Sequence, residues 1–316
     1  MSKHIYIYSP SSAVRDKIAF RRGVKRLEAK GHQVEIDPSA LEVHQRFAGD
    51  DATRLAAIAR AVASGADIAL TTRGGYGLTR ILGGIDYADV AKAVERGTKF
   101  VGFSDFTAFQ NALLAKTGAV TWSGPSVGED FGAIEGPDDI MEACFDDLLD
   151  EQGEGTGWRL PAREGEAPAL NHIRNAPLWG GNLTVLLSLL GTPYFPDIRG
   201  GVLFLEDVGE HPYRIERMLD QLFHAGVLQR QCAILMGQFT AFRKVPNDRG
   251  FGLPTVFARL RSLLDIPVLS GLPFGHVPTK VLLPVGAKVE MDREGREVII
   301  MWGHMHAKEF PHAHHY

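Results

Sequence analysis

Through the first 125 residues, short apolar runs alternate with longer stretches in which apolar residues return every three or four positions. An unbroken apolar run fits a buried strand, and the 3.6-residue period fits a helix with one inward face. On this pattern residues 4–8 form a strand broken at Ser9-Pro10-Ser11-Ser12, and Val14, Ile18 and Leu27 mark a long helix closed by Gly31. Gln33 to Ile36 is a second strand, Asp50 or Asp51 caps a helix through residues 53–63, and Ala66 to Thr72 is a third strand. The alternation continues through a helix around residues 87–95, a strand at Phe100 and Val101, and a helix over 106–116 carrying Phe109, Leu113 and Leu114 on one face. A short strand near Val120 ends it. Strands separated by helices at this spacing predict a parallel sheet covered on both faces, with its binding crevice at the carboxyl ends of the strands.

After Gly124-Pro125 the pattern changes. Residues 138–149 form an acidic amphipathic helix, and Glu151-Gln152-Gly153-Glu154-Gly155 is polar and glycine-rich, as a linker would be. Beyond it come an apolar helix over 183–190, a buried strand over 202–205, a helix with Ile215, Met218, Leu219 and Leu222 inward, a strand from Cys232 to Met236, and a helix from Phe257 to Leu264. Residues 280–283 and 288–302 alternate as strands around a turn at Asp292-Arg-Glu-Gly295. The expected organisation is α/β: an N-terminal parallel-sheet α/β domain over 1–150, a linker over 151–170 and a smaller β-rich C-terminal domain over 171–316.

Composition adds mostly exclusions. At 316 residues, 45% hydrophobic and 23% charged, the chain can bury a large core. A net charge of -4 supplies no basic surplus for nucleic acid. Cys144 and Cys232, the two cysteines, are expected as buried thiols, too few for a disulfide framework or a metal-thiolate site. No apolar run is long enough for a membrane span, and the N-terminus lacks the apolar stretch of a signal peptide, so no membrane association and a cytoplasmic location are expected. The histidines of the tail, His304, His306, His312, His314 and His315, are joined by no acid or thiol at ligand spacing and are expected to be solvated.

The candidate chemistry sits at strand ends. Gly102-Phe-Ser104-Asp105 reads as strand, sharp turn and helix with a serine at the apex. It half-matches the Gly-x-Ser-x-Gly elbow, because Phe106 stands where the second glycine would be. The bland alternative is that Ser104 or Asp105 caps the following helix. Arg73-Gly74-Gly75-Tyr76-Gly77 lets backbone approach a ligand with free N–H groups, which suits an oxyanion hole; the lysine and spacing of phosphate loops are absent. Glu206 is the first charge after a buried strand and needs a partner, whereas Asp207 and Glu210 are explained as caps or first-turn acids of the next helix. His276 follows an apolar stretch and a glycine. Trp179 either lines the cleft or is a core residue with its N–H satisfied. Serine, acid and histidine are the three side-chain types of a serine hydrolase, in an order such triads use.

The sequence also resembles the LD-carboxypeptidases (muramoyltetrapeptide carboxypeptidases), serine peptidases that cut an L,D peptide bond in recycled cell-wall peptides. The resemblance rests on Arg73-Gly-Gly-Tyr-Gly, Gly102-Phe-Ser-Asp-Phe-Thr, Trp122-Ser-Gly-Pro, Gly180-Gly-Asn-Leu, Gly191-Thr-Pro, Leu205-Glu-Asp-Val-Gly-Glu-His-Pro-Tyr-Arg-Ile and Gly275-His-Val, in family order. It implies Ser104 as nucleophile, His276 as base, Glu206 as the acid orienting it, and the N–H groups of Gly75 and Asp105 as oxyanion donors. Arg73, Tyr76 and Trp179 are the expected substrate-binding side chains. The resemblance further implies a homodimer and a mechanism without metal or cofactor. Ser9-Pro10-Ser11-Ser12 departs from the Ala-Pro-Ser-Gly more usual there. A related branch cleaves microcin C-type peptidyl-nucleotides and confers self-immunity with the same catalytic residues. The stretch from 125 to 180 holds only Phe131, Phe145, Trp158 and Trp179 to stack on a base, while Glu129, Asp130 and Glu135 would repel a phosphate and accept an ammonium. A muropeptide substrate is therefore expected.

Overall fold

A computed structural model describes residues 1–162 and 172–303. The predicted linker falls partly, and the histidine-rich tail wholly, outside the described residues. The first half follows the predicted alternation: β1 (His4–Tyr8), α1 (Lys17–Ala29), β2 (Gln33–Ile36), α2 (Asp51–Ala63), β3 (Ile68–Thr71), α3 (Tyr87–Glu95), β4 (Lys99–Gly102), α4 (Phe106–Thr117) and β5 (Thr121–Ser123). A π-helical turn at Val127–Phe131 leads to α5 (Asp139–Asp150). The second half contains β6 (Gly155–Arg159), β7 (Ile173–Asn182), α6 (Leu183–Ser188), β8 (Val202–Val208), α7 (Pro212–His224), β9 (Ala233–Thr240), α8 (Leu253–Leu263), β10 (Val268–Leu269), β11 (Leu283–Val285), β12 (Lys288–Glu294) and β13 (Glu297–Met301).

Two sheets result. The first has the order β11-β5-β4-β3-β1-β2, parallel from β5 to β2, and the second the order β10-β9-β8-β7-β12-β13-β6, parallel from β10 to β7 and antiparallel beyond. β1 lies between two parallel partners and is apolar on both faces for that reason. Ile5 and Ile7 pack with Phe20, Val24 and Leu27 of α1 and Phe145 of α5, while Tyr6 and Tyr8 face the layer that holds Ile58 of α2, Val90 of α3 and Phe109 of α4. In the second sheet Leu203, Leu205, Ile234 and Met236 meet α6, α7 and α8. Val202, Phe204 and Leu235 turn the other way, onto a core shared with Phe103, Met291 and Ile300.

Some expectations are corrected. Ile18 is 69% exposed, because α1 starts only at Lys17 behind the Asp16 N-cap and turns Phe20, Gly23, Val24 and Leu27 inward. Gly155–Arg159, read as part of a linker, is an edge strand paired with β13. The strand expected at 280–283 lies at 283–285 and crosses to the first sheet, where it pairs antiparallel with β5. Pro284 is tolerated there because β11 is an edge. The hairpin turns between Glu294 and Glu297, two residues beyond the predicted position. Cys144 and Cys232 are free and only half-buried.

Candidate active site

The serine-bearing turn is made possible by missing side chains. After β4, Phe103 enters the core between the sheets, Ser104 adopts φ 63°, and α4 begins at Phe106. That left-handed conformation costs a non-glycine residue about 1–3 kcal/mol, and the surroundings must hold it. A Cβ on Gly102 would come within 2.8 Å of the Phe106 ring and of Thr71 Oγ1, and one on Gly74 within 2.8 Å of Ser104 Cβ. Relief of crowding on both sides of the serine explains why Phe106 can replace the second glycine of the elbow. Its ring is buried over Gly102 and stacks on Phe109 at 4.9 Å.

Neither Ser104 nor Asp105 caps α4 with its side chain. The buried Asp105 carboxylate instead accepts from Ser11 Oγ at 2.6 Å and from Leu78 N–H at 2.9 Å, tying the first loop and the glycine loop to the elbow. Burial pushes its pKa up, against the opposing pull of these hydrogen bonds and of Arg54. Arg54, fully buried in α2, donates to Gly77 O at 2.8 Å and to Pro10 O at 3.2 Å, so it grips the same two loops. Ser12, which with Ser9 departs from the Ala-Pro-Ser-Gly pattern, adds a clasp: its Oγ accepts from Tyr76 N–H at 2.9 Å and donates to Tyr76 O at 3.1 Å. Among the described residues the N–H groups of Gly75 and Asp105 donate to no other group. They remain available beside Ser104.

The acid and the imidazole come from the second sheet. Glu206 is in β8 at a register shift between Leu205 and Asp207, opposite Asn182 of β7. The extra residue of this irregularity is on β9, so Glu206 keeps the regular register of β8 on β7. Its carboxylate is 0% exposed and accepts from Asn182 Nδ2 at 3.1 Å and from His276 Nδ1 at 2.7 Å. A carboxylate can only accept, so Nδ1 carries the hydrogen and Nε2 is left as an acceptor. Ser104 Oγ lies 3.1 Å from that Nε2. Serine, imidazole and carboxylate thus form one chain of hydrogen bonds, which can move a proton off the hydroxyl as it attacks. The His276 ring is further held against Phe103, with centroids 4.8 Å apart. Burial pulls the His276 pKa down, but the hydrogen bond and charge of Glu206 outweigh it and raise the pKa above its ordinary value.

Struts between the halves fix this meeting. Asn111 of α4 donates to Gly180 O at 2.9 Å, and Asn182 N–H donates to Thr107 Oγ1 at 3.0 Å. Asp207 is a cap, but of α6 and not of the helix that follows it: it accepts from Thr184 N–H and Thr184 Oγ1 at 2.9 and 2.6 Å. Glu210 pairs at 3.7 Å with Arg214.

A cleft of about 480 Å³ opens beside His276, lined by Glu129, Glu135, Asp138 and Asp139. Asp130 does not add its charge to this rim. It is buried, its pKa is pushed up by burial against the pull of Lys280, and Lys280 Nζ stands 2.9 Å from Oδ1. The same ammonium lies 3.9 Å from the centroid of Phe103, on whose ring His276 rests. Sequence reasoning missed this pair and the Asn182 contact, although an asparagine just before an apolar helix is a recognisable N-cap signal, and Asn182 Oδ1 does accept from Val185 N–H. Trp179 is corrected to the core: it is 0% exposed, donates from its indole to Gln231 Oε1 at 3.0 Å and packs edge-on against Phe195. Tyr76 is exposed beside Phe47 in the glycine loop, and Arg73 is half-buried at the start of that loop.

Family models described as the N-terminal and C-terminal domains of LD-carboxypeptidase match residues 5–124 and 175–291. The chain is 32% identical to the probable murein peptide carboxypeptidase of Bacillus subtilis (strain 168), over 88% of this chain and 85% of that one. The crystal structure of muramoyltetrapeptide carboxypeptidase from Oxalobacter formigenes superposes with a TM-score of 0.85 at 38% identity, covering 95% of this chain and 98% of that one. The microcin C7 self-immunity protein MccF of Escherichia coli is 26% identical over 73% of this chain and 72% of that one.

Proposed function

Because this chain belongs to the LD-carboxypeptidase family and is a serine-type carboxypeptidase, we propose that it releases the terminal D-alanine from cytoplasmic muropeptide tetrapeptides during peptidoglycan recycling. Ser104 Oγ attacks the carbonyl carbon before the D-alanine while His276 Nε2 takes its proton. The carbonyl oxygen becomes negative between the N–H groups of Gly75 and Asp105, which donate to no other group among the described residues. Collapse of this intermediate breaks the C–N bond, and the imidazolium gives its proton to the departing amine. Water, deprotonated by the same nitrogen, then attacks the ester on Ser104 and frees the tripeptide. Glu206 holds the tautomer and stabilises the imidazolium.

The acidic cleft beside His276 is the observation that carries the choice of substrate. Glu129, Glu135, Asp138 and Asp139 favour the ammonium of a lysine or diaminopimelate side chain and repel a nucleotide phosphate. In the stretch from 125 to 180, Phe131, Phe145, Trp158 and Trp179 are all buried, so none offers a face to a nucleobase. The test is to incubate the purified protein, side by side, with an L,D-linked tetrapeptide, its all-L equivalent and a peptidyl-nucleotide, and to weigh the products. Loss of D-alanine from the first alone is expected. Efficient cleavage of the nucleotide conjugate with the tetrapeptide left whole would move the chain to the self-immunity branch.

A pH profile checks the general base. His276 accepts a proton only when neutral, and its pKa is raised by Glu206. The acid limb of kcat/KM should therefore have its midpoint above the ordinary histidine value of about 6.5, with activity lost as pH falls through it. A midpoint well below that value would contradict the role given to the His276–Glu206 pair.

A further inference from the structure

Release of the last residue alone requires a group that recognises the free end of the peptide. Arg73 opens the glycine loop, and its guanidinium lies against it, with Nη2 3.3 Å from the point where a side chain on Gly75 would begin. The intervening Gly74 is as close to the nucleophile, since a Cβ there would stand 3.1 Å from Ser104 Oγ. Arg73 is half-buried and donates from Nη1 to Ala13 O at 3.0 Å, and among the described residues it forms no ion pair with a carboxylate. Its charged neighbours are mostly cations, Arg15 and Arg46, with Glu129 opposing them. Of the other cations nearby, Lys280 is held by Asp130 and Arg22 donates to Gly132 O at 2.6 Å, while Arg15 and Arg46 are exposed and already solvated. Taking a guanidinium partly out of water is unfavourable unless something pairs with it, and its fork matches a carboxylate.

We infer that Arg73 binds the terminal α-carboxylate of the substrate and so restricts the enzyme to the end of the chain. This rests on the function proposed above. Consecutive α-carbons are about 3.8 Å apart, so once the scissile carbonyl sits at the Gly75 N–H, the terminal carboxylate lies within one residue of it. A cleft of about 300 Å³ opens beside Arg73, and its charged lining is Arg15, Arg22 and Arg73 against Asp16 and Glu129, an excess of one positive charge. The acidic cleft beside His276 repels a carboxylate, so the two clefts orient the peptide: anionic end toward Arg73, cationic side chain toward Glu135, Asp138 and Asp139, with Glu129 on the edge of both.

The test compares a tetrapeptide ending in D-alanine with the same peptide ending in D-alaninamide, for the wild type, Arg73→Met and Arg73→Lys. The wild type should prefer the free acid by on the order of 100-fold in kcat/KM, and Arg73→Met should lose far more on the acid than on the amide, bringing the two rates close together. Arg73→Lys should restore part of the preference. Because both substrates meet the same protein, their ratio does not depend on the folded fraction. A parallel loss on both substrates in Arg73→Met, or a wild type indifferent to the carboxylate, overturns the inference while D-alanine release stands. A wild type that releases neither D-alanine nor its amide overturns the muropeptide reading, and this inference with it.

Discussion

Replacing Ser104 by alanine should lower kcat/KM by about four to six orders of magnitude and leave the fold intact. The hydroxyl is the atom that forms the covalent bond, and no other hydroxyl lies within hydrogen-bonding reach of His276 Nε2 among the described residues. Its structural contribution is small, because its one hydrogen bond among the described residues is the 3.1 Å contact to that nitrogen. Alanine meets the same left-handed backbone cost at φ 63°, so stability should change by no more than about 1 kcal/mol. Thermal unfolding and turnover of the tetrapeptide, measured on one preparation, check both halves. More than about a tenth of wild-type activity in a folded variant would remove Ser104 from its role.

Glu206→Gln should reduce turnover by about three to four orders of magnitude with little change in apparent substrate binding. The amide that replaces the carboxylate can donate to His276 Nδ1, which moves the ring hydrogen to Nε2, where it can no longer accept from Ser104. Since Glu206 is also what raises the His276 pKa, the residual activity should show its acid limb at lower pH. Asp207→Asn is the control. It weakens the α6 cap at Thr184, costs about 1 kcal/mol of stability, and should disturb turnover far less. If Asp207→Asn were the more damaging change to turnover, the acid would have to be reassigned.

The parts of this molecule that were legible in the sequence are those set by local chemistry. Alternating apolar runs and helical periods are enough to read the parallel sheet of the first half, because β1, β3 and β4 are buried on both faces and can hold little else. The turn at Ser104 is readable from Gly102, and Glu206 from the oddity of a charge at the end of an apolar strand. What escaped depends on partners distant in sequence. Asp105 looks like a helix cap until Ser11 and Leu78 are brought to it, 94 and 27 residues away. Trp179 could not be assigned without knowing that Gln231 waits for its N–H. β11 is three residues long, and only the packing of one half on the other decides that it leaves its own neighbours for β5. Lys280 and Asp130 were unreadable as a pair, since a lone lysine near a strand is ordinarily solvated.

The central claim is that peptide cleavage passes through an ester on Ser104. A rapid denaturing quench of the wild type during turnover of the tetrapeptide, followed by peptide mapping of the protein by mass spectrometry, tests it directly. The tripeptide acyl group should be found on the peptide containing Ser104, with one equivalent of D-alanine released ahead of the free tripeptide. An acyl group on a different residue, or undiminished D-alanine release by Ser104→Ala, would contradict it.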